Sequence, residues 1–254
     1  IGLIHNLHYE VAKLCMENGK GVLCEKQLLL TKKEAESLAQ IAEENNVLLM
    51  EAMWSRFIPT TLKAQEWIAQ GMIGQVKLVE ASFCFNFPYD PKHRLYNPEL
   101  AGGSLYDAGV YPIEFASGML GEYPSKMKGL ASIGPSGVDE YVAMSFAYDS
   151  GALANLSCGL TAETNRDGKV YGSEGHIIVY DFLNTKICEL YNASNVLVES
   201  FECDFDDGFI FEINHFVALF RDGKIESPIM PHKENIATSR VFEVLTQQWE
   251  DQPK

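Results

Sequence analysis

Gly19-Lys20-Gly21-Val22-Leu23-Cys24-Glu25-Lys26-Gln27 decides how the rest of the chain is read. A short apolar run, Val22-Leu23-Cys24, lies between a helix-ending glycine and the charged pair Glu25-Lys26. In an α/β architecture such a run is a buried parallel strand delivering two charges at its carboxyl end, where ligand crevices open. The residues alone leave a second reading open, a solvated loop after a core strand. The flanks bear on the choice. Leu7, Val11, Leu14 and Cys15 recur at helical spacing, so residues 7–18 read as an amphipathic helix closed by Gly19. Thr31-x-x-Glu34 is a capping box that opens a helix with Ala35, Leu38, Ala39 and Ala42 inward. Val47-Leu48-Leu49-Met50 is another short buried strand, and Ile1-Gly2-Leu3-Ile4 reads as the tail of a strand already under way. Strands alternating with helices at this spacing predict βαβ units and a parallel sheet.

The character changes after Met50. A helix is expected over 61–70, and from Val76 the alternation of Val76, Leu78, Phe83, Phe85 and Phe87 predicts a long half-buried antiparallel strand. A Pro-, Tyr- and His-rich loop (88–98) leads to Gly102-Gly103 and a helical stretch. Alternating segments follow near 127–134, 140–148, 152–159, 176–180, 186–191 and 196–201, with turn residues between, Asp167-Gly168 among them. Helices at 209–221 and 233–249 close the chain. The expected fold is therefore α/β plus α+β. It comprises the remainder of a Rossmann-like parallel sheet over 1–51, then a mostly antiparallel open sheet with flanking helices over 52–254.

Composition is that of a globular protein, with 46% hydrophobic and 22% charged residues among 254. A formal net charge of −15 argues against nucleic acid or an anionic membrane surface as a partner. It also means that any phosphate-bearing ligand needs a local electropositive pocket. The six cysteines (15, 24, 84, 158, 188 and 203) are dispersed with no Cys-x-x-Cys, which reads as buried free thiols in a reducing, cytoplasmic protein. No stretch reaches the length of a membrane span, and no signal peptide is visible.

Two further stretches carry candidate chemistry. Met50-Glu51-Ala52-Met53-Trp54-Ser55-Arg56-Phe57 places charges and a tryptophan just past the last parallel strand. The plain alternative is a capped connection anchored by an aromatic. Gly102-Gly103-Ser104-Leu105-Tyr106-Asp107-Ala108-Gly109-Val110-Tyr111 sets Asp107 and Tyr111 four apart, on one face if helical. Paired glycines before a helix allow close approach of backbone, and Pro112 should disturb the turn preceding it. The alternative is an amphipathic helix with a buried tyrosine. His5 and His8 precede the first helix, lining a crevice or capping; no partners are spaced for zinc, and no metal is expected. His93, His176, His215 and His232 receive no role.

Three of these stretches resemble the glucose-fructose oxidoreductase/inositol dehydrogenase (Gfo/Idh/MocA) family. Gly-Lys-x-Val-Leu-Cys-Glu-Lys is similar to its first signature, with Gln27 where proline is usual. Gly102 to Tyr111 is similar to its second, and Glu51 to Phe57 to a stretch at the cofactor/substrate border. Ile4 to His8 and Glu226 to Pro231 extend the likeness to an NADP-dependent branch acting on dihydrodiols. Xylose-type sugar dehydrogenases share both signatures. The resemblance implies an NADP (or NAD) cofactor and a dehydrogenase. Catalytic roles fall to Tyr111, Lys26 and Asp107, and cofactor contacts to His5, His8, Glu25, Lys26, Trp54 and Arg56. It also implies that residues 1–51 are the C-terminal part of the cofactor domain and 52–254 the substrate and dimerisation domain. No Gly-x-Gly-x-x-Gly occurs in the sequence. In the family that turn lies ahead of the point matching Ile1, so this chain is expected to lack about half a Rossmann unit and to bind the cofactor poorly, even as an inactive fragment.

The expected reaction is reversible oxidation of a secondary alcohol in a diol or a sugar. A tyrosine titrates near 10, and Lys26 is the cation expected to lower that value for Tyr111. Trp54 and Phe83 are expected to wall an apolar substrate pocket. The rival readings are a sugar dehydrogenase and a non-catalytic cofactor-binding sensor. Many strands with few helices to cover them predict a homodimer formed through an uncovered sheet face.

Overall fold

Val22–Glu25 (β1) and Leu49–Ala52 (β2) run parallel, Val22 opposite Leu49 and Glu25 opposite Ala52, in the computed structural model, which describes residues 1–250. The main chain of Ile1 lies alongside: its nitrogen donates to the Leu23 carbonyl at 2.6 Å, and Glu25 N–H donates to the Ile1 carbonyl at 2.9 Å. Helices His8–Glu17 (α1) and Lys32–Asn45 (α2) pack on this sheet. Both halves of the Thr31/Glu34 capping box form. β2 starts later than its apolar run, for a local reason. Asn46 is left-handed (φ 50°) and Val47 N–H bonds back to the Ala42 carbonyl, so Val47 is spent on ending α2. The strand therefore reaches Ala52 and takes Glu51 into its buried face.

Pro59–Ala69 (α3) leads into an eight-stranded sheet. Its strands are Val76–Cys84 (β3), Lys126–Ile133 (β4), Asp139–Ala147 (β5), Leu153–Gly159 (β6), Gly168–Gly172 (β7), Gly175–Val179 (β8), Ile187–Asn192 (β9) and Leu197–Glu202 (β10). Their order is β10-β9-β8-β7-β3-β6-β5-β4, and every pair is antiparallel except β3 with β6. The fold is thus the expected mixed one. β7 is an addition: bounded by glycines, it reads as a turn in sequence, yet it pairs with both β3 and β8.

Val110–Leu120 (α4), Phe209–Arg221 (α5) and His232–Glu250 (α6) complete the chain. α3, α4 and α6 cover one face of the large sheet, over a core that includes Trp67, Phe115, Phe146, Phe182 and Phe242. Full burial of each such side chain contributes about 1.5–3 kcal/mol. The opposite face carries a shallow groove of about 620 Å³ lined by Ser82, Lys128, Leu130, Ser145, Asn155 and Ser157. α6 also packs on α2, so it spans both sheets. No helix among the described residues is long and apolar enough to cross a membrane.

Candidate active site

The carboxyl end of β1 opens into a cleft of about 670 Å³ lined by His5, Glu25, Lys26, Arg94 and Asp107, among others. The Lys26–Gln27 peptide bond just past the strand is cis. Lys26 Nζ donates to the Asp107 main-chain carbonyl at 2.8 Å and lies 3.5 Å from its Oδ1. The same ammonium sits over the Tyr111 ring, 4.8 Å from the centroid. Trp54 Nε1–H donates to the Tyr111 hydroxyl at 3.1 Å, and Phe83 meets the Tyr111 ring edge-on with centroids 5.5 Å apart. Residues from β1, the β2 exit, β3 and the start of α4 thus converge on one phenol.

The local chain explains why Asp107 and Tyr111 can reach it. Pro112 has no N–H to give the carbonyl four residues back and would press on it. The preceding turn, Leu105–Gly109, accordingly widens into a π turn. The glycines ahead of it are steric requirements. A Cβ on Gly102 would stand 2.6–2.8 Å from the carbonyl oxygens of Arg94, Leu95 and Asn97. Gly103, at φ +115°, lies against the Asp139 carboxylate. Oδ2 of Asp139 accepts from Ser104 Oγ (2.8 Å) and Leu105 N–H (2.7 Å), which fixes the start of the helix.

Charge states follow from burial and neighbours. Burial pushes the Asp107 carboxyl up, but Lys26 and Arg94 outweigh it and hold the group below its ordinary value. Burial, reinforced by Lys26, lowers His5 to about 4, so its ring is neutral at physiological pH. Tyr111 departs from expectation. Burial raises its pKa, and Lys26 with the Trp54 hydrogen bond offsets only part of that rise. The cation faces the ring and bonds to Asp107, so the phenol stays protonated.

Two expected cofactor contacts are corrected. Arg56 is buried away from the cleft, with Nη1 donating to Glu114 Oε2 at 2.8 Å and Glu234 Oε1 at 2.9 Å, and Nη2 to the Ile229 carbonyl at 3.2 Å. It neutralises buried acids instead of facing a ligand. His8 is fully buried, its ring nitrogens 2.9 and 3.0 Å from the carbonyl oxygens of Gln27 and Leu3. Its ring ties the loop after β1 to the segment before α1. His5, Glu25, Lys26 and Asp107 line the cleft, while Trp54 and Phe83 flank Tyr111.

Three neighbours went unread in the sequence. Arg94 Nη1 donates to Asp107 Oδ1 at 2.8 Å. Phe209 stacks on Trp54 at 4.9 Å, and the Arg166 guanidinium lies 5.2 Å over the Phe83 ring. Nothing in the spacing of these residues marks them; the cluster of aromatics and histidines around Arg94 was the one available hint. Among the described residues no group of three or more His, Cys, Asp or Glu side chains is arranged to hold a metal ion. Lys26 and Arg94 bring positive charge to the cleft, balanced there by Glu25 and Asp107, so with neutral His5 the lining fits the nicotinamide end of a dinucleotide and not its phosphates.

Comparison with known proteins gives two adjacent family matches. Residues 1–53 match a model described as an oxidoreductase family with an NAD-binding Rossmann fold, and 61–178 match the GFO/IDH/MocA C-terminal domain. The trans-1,2-dihydrobenzene-1,2-diol dehydrogenase of Xenopus laevis is 32% identical, over 94% of this chain and 74% of its own length. D-xylose 1-dehydrogenase (NADP(+)) of Hypocrea jecorina is 29% identical, over 94% of this chain and 69% of its own. Among solved structures, aldose-aldose oxidoreductase from Caulobacter crescentus, complexed with glycerol, superposes with a TM-score of 0.86 at 23% identity, covering 98% of this chain and 75% of that one.

Proposed function

The chain belongs to the Gfo/Idh/MocA family of oxidoreductases, and from that premise we propose that Tyr111 is the acid/base group of its reaction. The protein is an NAD(P)-dependent dehydrogenase that interconverts a secondary alcohol of a diol or sugar with the carbonyl compound. The observation that carries the assignment to Tyr111 is the convergence of Lys26, Trp54 and Phe83 on one buried phenol beside the cleft.

A bound nicotinamide supplies the hydride acceptor or donor. Glu25 and Lys26, at the carboxyl end of β1, and His5, in the turn before α1, would hold it, with Trp54 nearby. The chain's own part in the chemistry is the proton. For carbonyl reduction the protonated Tyr111 hydroxyl is ready to donate its proton, and for alcohol oxidation the tyrosinate, formed first by loss of that proton to solvent, takes the proton of the alcohol. Lys26 favours the tyrosinate that results, and the Trp54 N–H gives that oxygen a hydrogen bond. Asp107 holds Lys26 through its carbonyl oxygen. Trp54, Phe83 and Phe209 form an apolar wall suited to a cyclic or aromatic diol, which is the preferred substrate class here. NADP is the cofactor to test first, because the Hypocrea jecorina relative carries it in its name.

Residues 1–51 then serve the cofactor and 52–254 the substrate and a two-fold dimer formed through the groove-bearing sheet face. Turnover of a trans-dihydrodiol and of D-xylose by the full-length protein, each with NADP and with NAD, tests the reading. Cofactor-dependent oxidation of the diol in preference to the sugar is expected. Turnover confined to the sugar would move the protein to the sugar-dehydrogenase alternative. Cofactor binding without turnover of either would support the sensor.

A further inference from the structure

Asp107 stands between two cations and treats them unequally. Its Oδ1 is 2.8 Å from Arg94 Nη1 but 3.5 Å from Lys26 Nζ. The short bond of Lys26, also 2.8 Å, goes instead to the uncharged main-chain carbonyl of Asp107. That leaves the ammonium over the Tyr111 ring with the carboxylate as its longer, weaker contact. We infer that Arg94 is a positioning residue that engages the Asp107 carboxylate and so keeps the charge of Lys26 available to the Tyr111 oxygen. The inference rests on the reading of Tyr111 as the acid/base group.

The fold holds Arg94 in place for this. Arg94 opens the 3₁₀ turn Arg94–Tyr96, and its two following side chains, Leu95 and Tyr96, are buried. The Tyr96 hydroxyl donates to the Phe87 carbonyl at 2.7 Å. Gly103 N–H bonds to the Leu95 carbonyl at 2.9 Å and Gly102 N–H to that of Asn97 at 3.0 Å. The turn bearing Arg94 and the helix start bearing Asp107 are therefore one packed unit, closed by two glycines that admit no side chain. Without Arg94, Asp107 would face Lys26 alone, and Coulomb attraction would draw the ammonium onto the carboxylate. The charge seen by Tyr111 would fall accordingly.

The charged and titratable groups around this pair are His5 before α1, Glu25 and Lys26 at the end of β1, Tyr111 on α4, and His93 on the loop of Arg94 itself. His5 is neutral above about pH 4. His93 Nδ1 accepts from Leu95 N–H at 3.3 Å, and its ring packs against Phe87 at a 30° tilt, centroids 4.4 Å apart. Glu25 opposes ionisation of Tyr111, as Asp107 does. Half-exposed ion pairs usually contribute little to stability, so the test must read the phenol and not the melting temperature.

A fluorotyrosine in place of Tyr111 ionises at lower pH than tyrosine, and fluorine NMR follows it without cofactor or substrate. Arg94→Met should raise its midpoint by about one pH unit, in the range for loss of an effective neighbouring cation. Asp107→Asn should lower it, and Arg94→Met added to Asp107→Asn should then move it by less than a third as much. Arg94→Lys should hold the midpoint near that of the parent. An unchanged midpoint in Arg94→Met overturns the inference. So does an equal shift when Arg94→Met is made in the Asp107→Asn background, since Arg94 would then act through its own field. A separate result, full turnover by Tyr111→Phe, would instead remove the acid/base reading while leaving the titration intact.

Discussion

Tyr111 and Arg56 show how two residues drawn from similar-looking motifs come to opposite fates. Tyr111 is buried next to the cleft-lining Lys26, its hydroxyl bonded to Trp54 and its ring under the ammonium. Replacing it with phenylalanine removes that oxygen and preserves the ring packing against Phe83. Turnover should fall by about 10²–10⁴-fold with cofactor affinity and melting temperature almost unchanged; a loss under about threefold, far below that range, would rule Tyr111 out. Arg56 instead holds two buried acids, Glu114 and Glu234. Burial, with Glu234 beside it, pushes the Glu114 carboxyl well above its ordinary value against the pull of Arg56. Arg56→Met strands those acids and should destabilise the fold by about 3 kcal/mol or more in denaturant titrations. A variant of wild-type stability with weakened cofactor binding would return Arg56 to the cleft. The sequence showed the charge but could not show its partners, because Glu234 lies 178 positions away. Arg94 was illegible for a similar reason: its meaning depends on a loop closing onto a helix.

At the scale of elements, the helix spans and capping chemistry were readable from the chain alone, but α1 buries Ala12 and Met16 and leaves Leu7 and Leu14 exposed. The Thr31 box and the two closing helices are where local pattern puts them, whereas β3 ends at Cys84, short of Phe85 and Phe87, and buries Val79 and Ala81 in place of Val76 and Leu78. Where a residue serves two neighbours the pattern misleads, as when Val47 is taken from β2 to finish α2. The helix that carries Asp107 and Tyr111 depends most on its start. Gly103→Ala would force a side chain into a left-handed backbone (φ +115°) and against Asp139. A loss of about 1–3 kcal/mol is expected, together with slower turnover, because the collision displaces the turn that aims Asp107. If turnover held while stability fell, the aim of that turn would not matter to the chemistry.

For the whole molecule, buried acids set a pH dependence of stability. Burial raises Glu51 from 4.5 to about 7 and Asp139 from 3.8 to about 6. The folded state binds these protons more tightly than the unfolded one. Their contribution is therefore complete below the unfolded values and is lost as pH climbs through the folded ones. Glu51→Gln should accordingly gain on the parent between pH 5 and 7, by on the order of 2 kcal/mol, and the gap should close near pH 4. A gap that did not change with pH would show that Glu51 is charged at its site. The open sheet face bears on assembly: sedimentation should show a dimer at micromolar concentration, and Leu153→Arg, on a side chain 53% exposed, should shift it to monomer. α6, which spans both sheets, also bears on how the molecule is made. Its Asn235 donates to Glu51, its Ser239 to the Leu29 carbonyl, its Thr238 to Glu114, and its Glu234 accepts from Tyr123. Those partners leave the ribosome long before it does. Until α6 emerges, the nascent chain carries Glu51 and Glu114 without these hydrogen-bond donors, so the part of the sheet-to-sheet contact that α6 makes forms last.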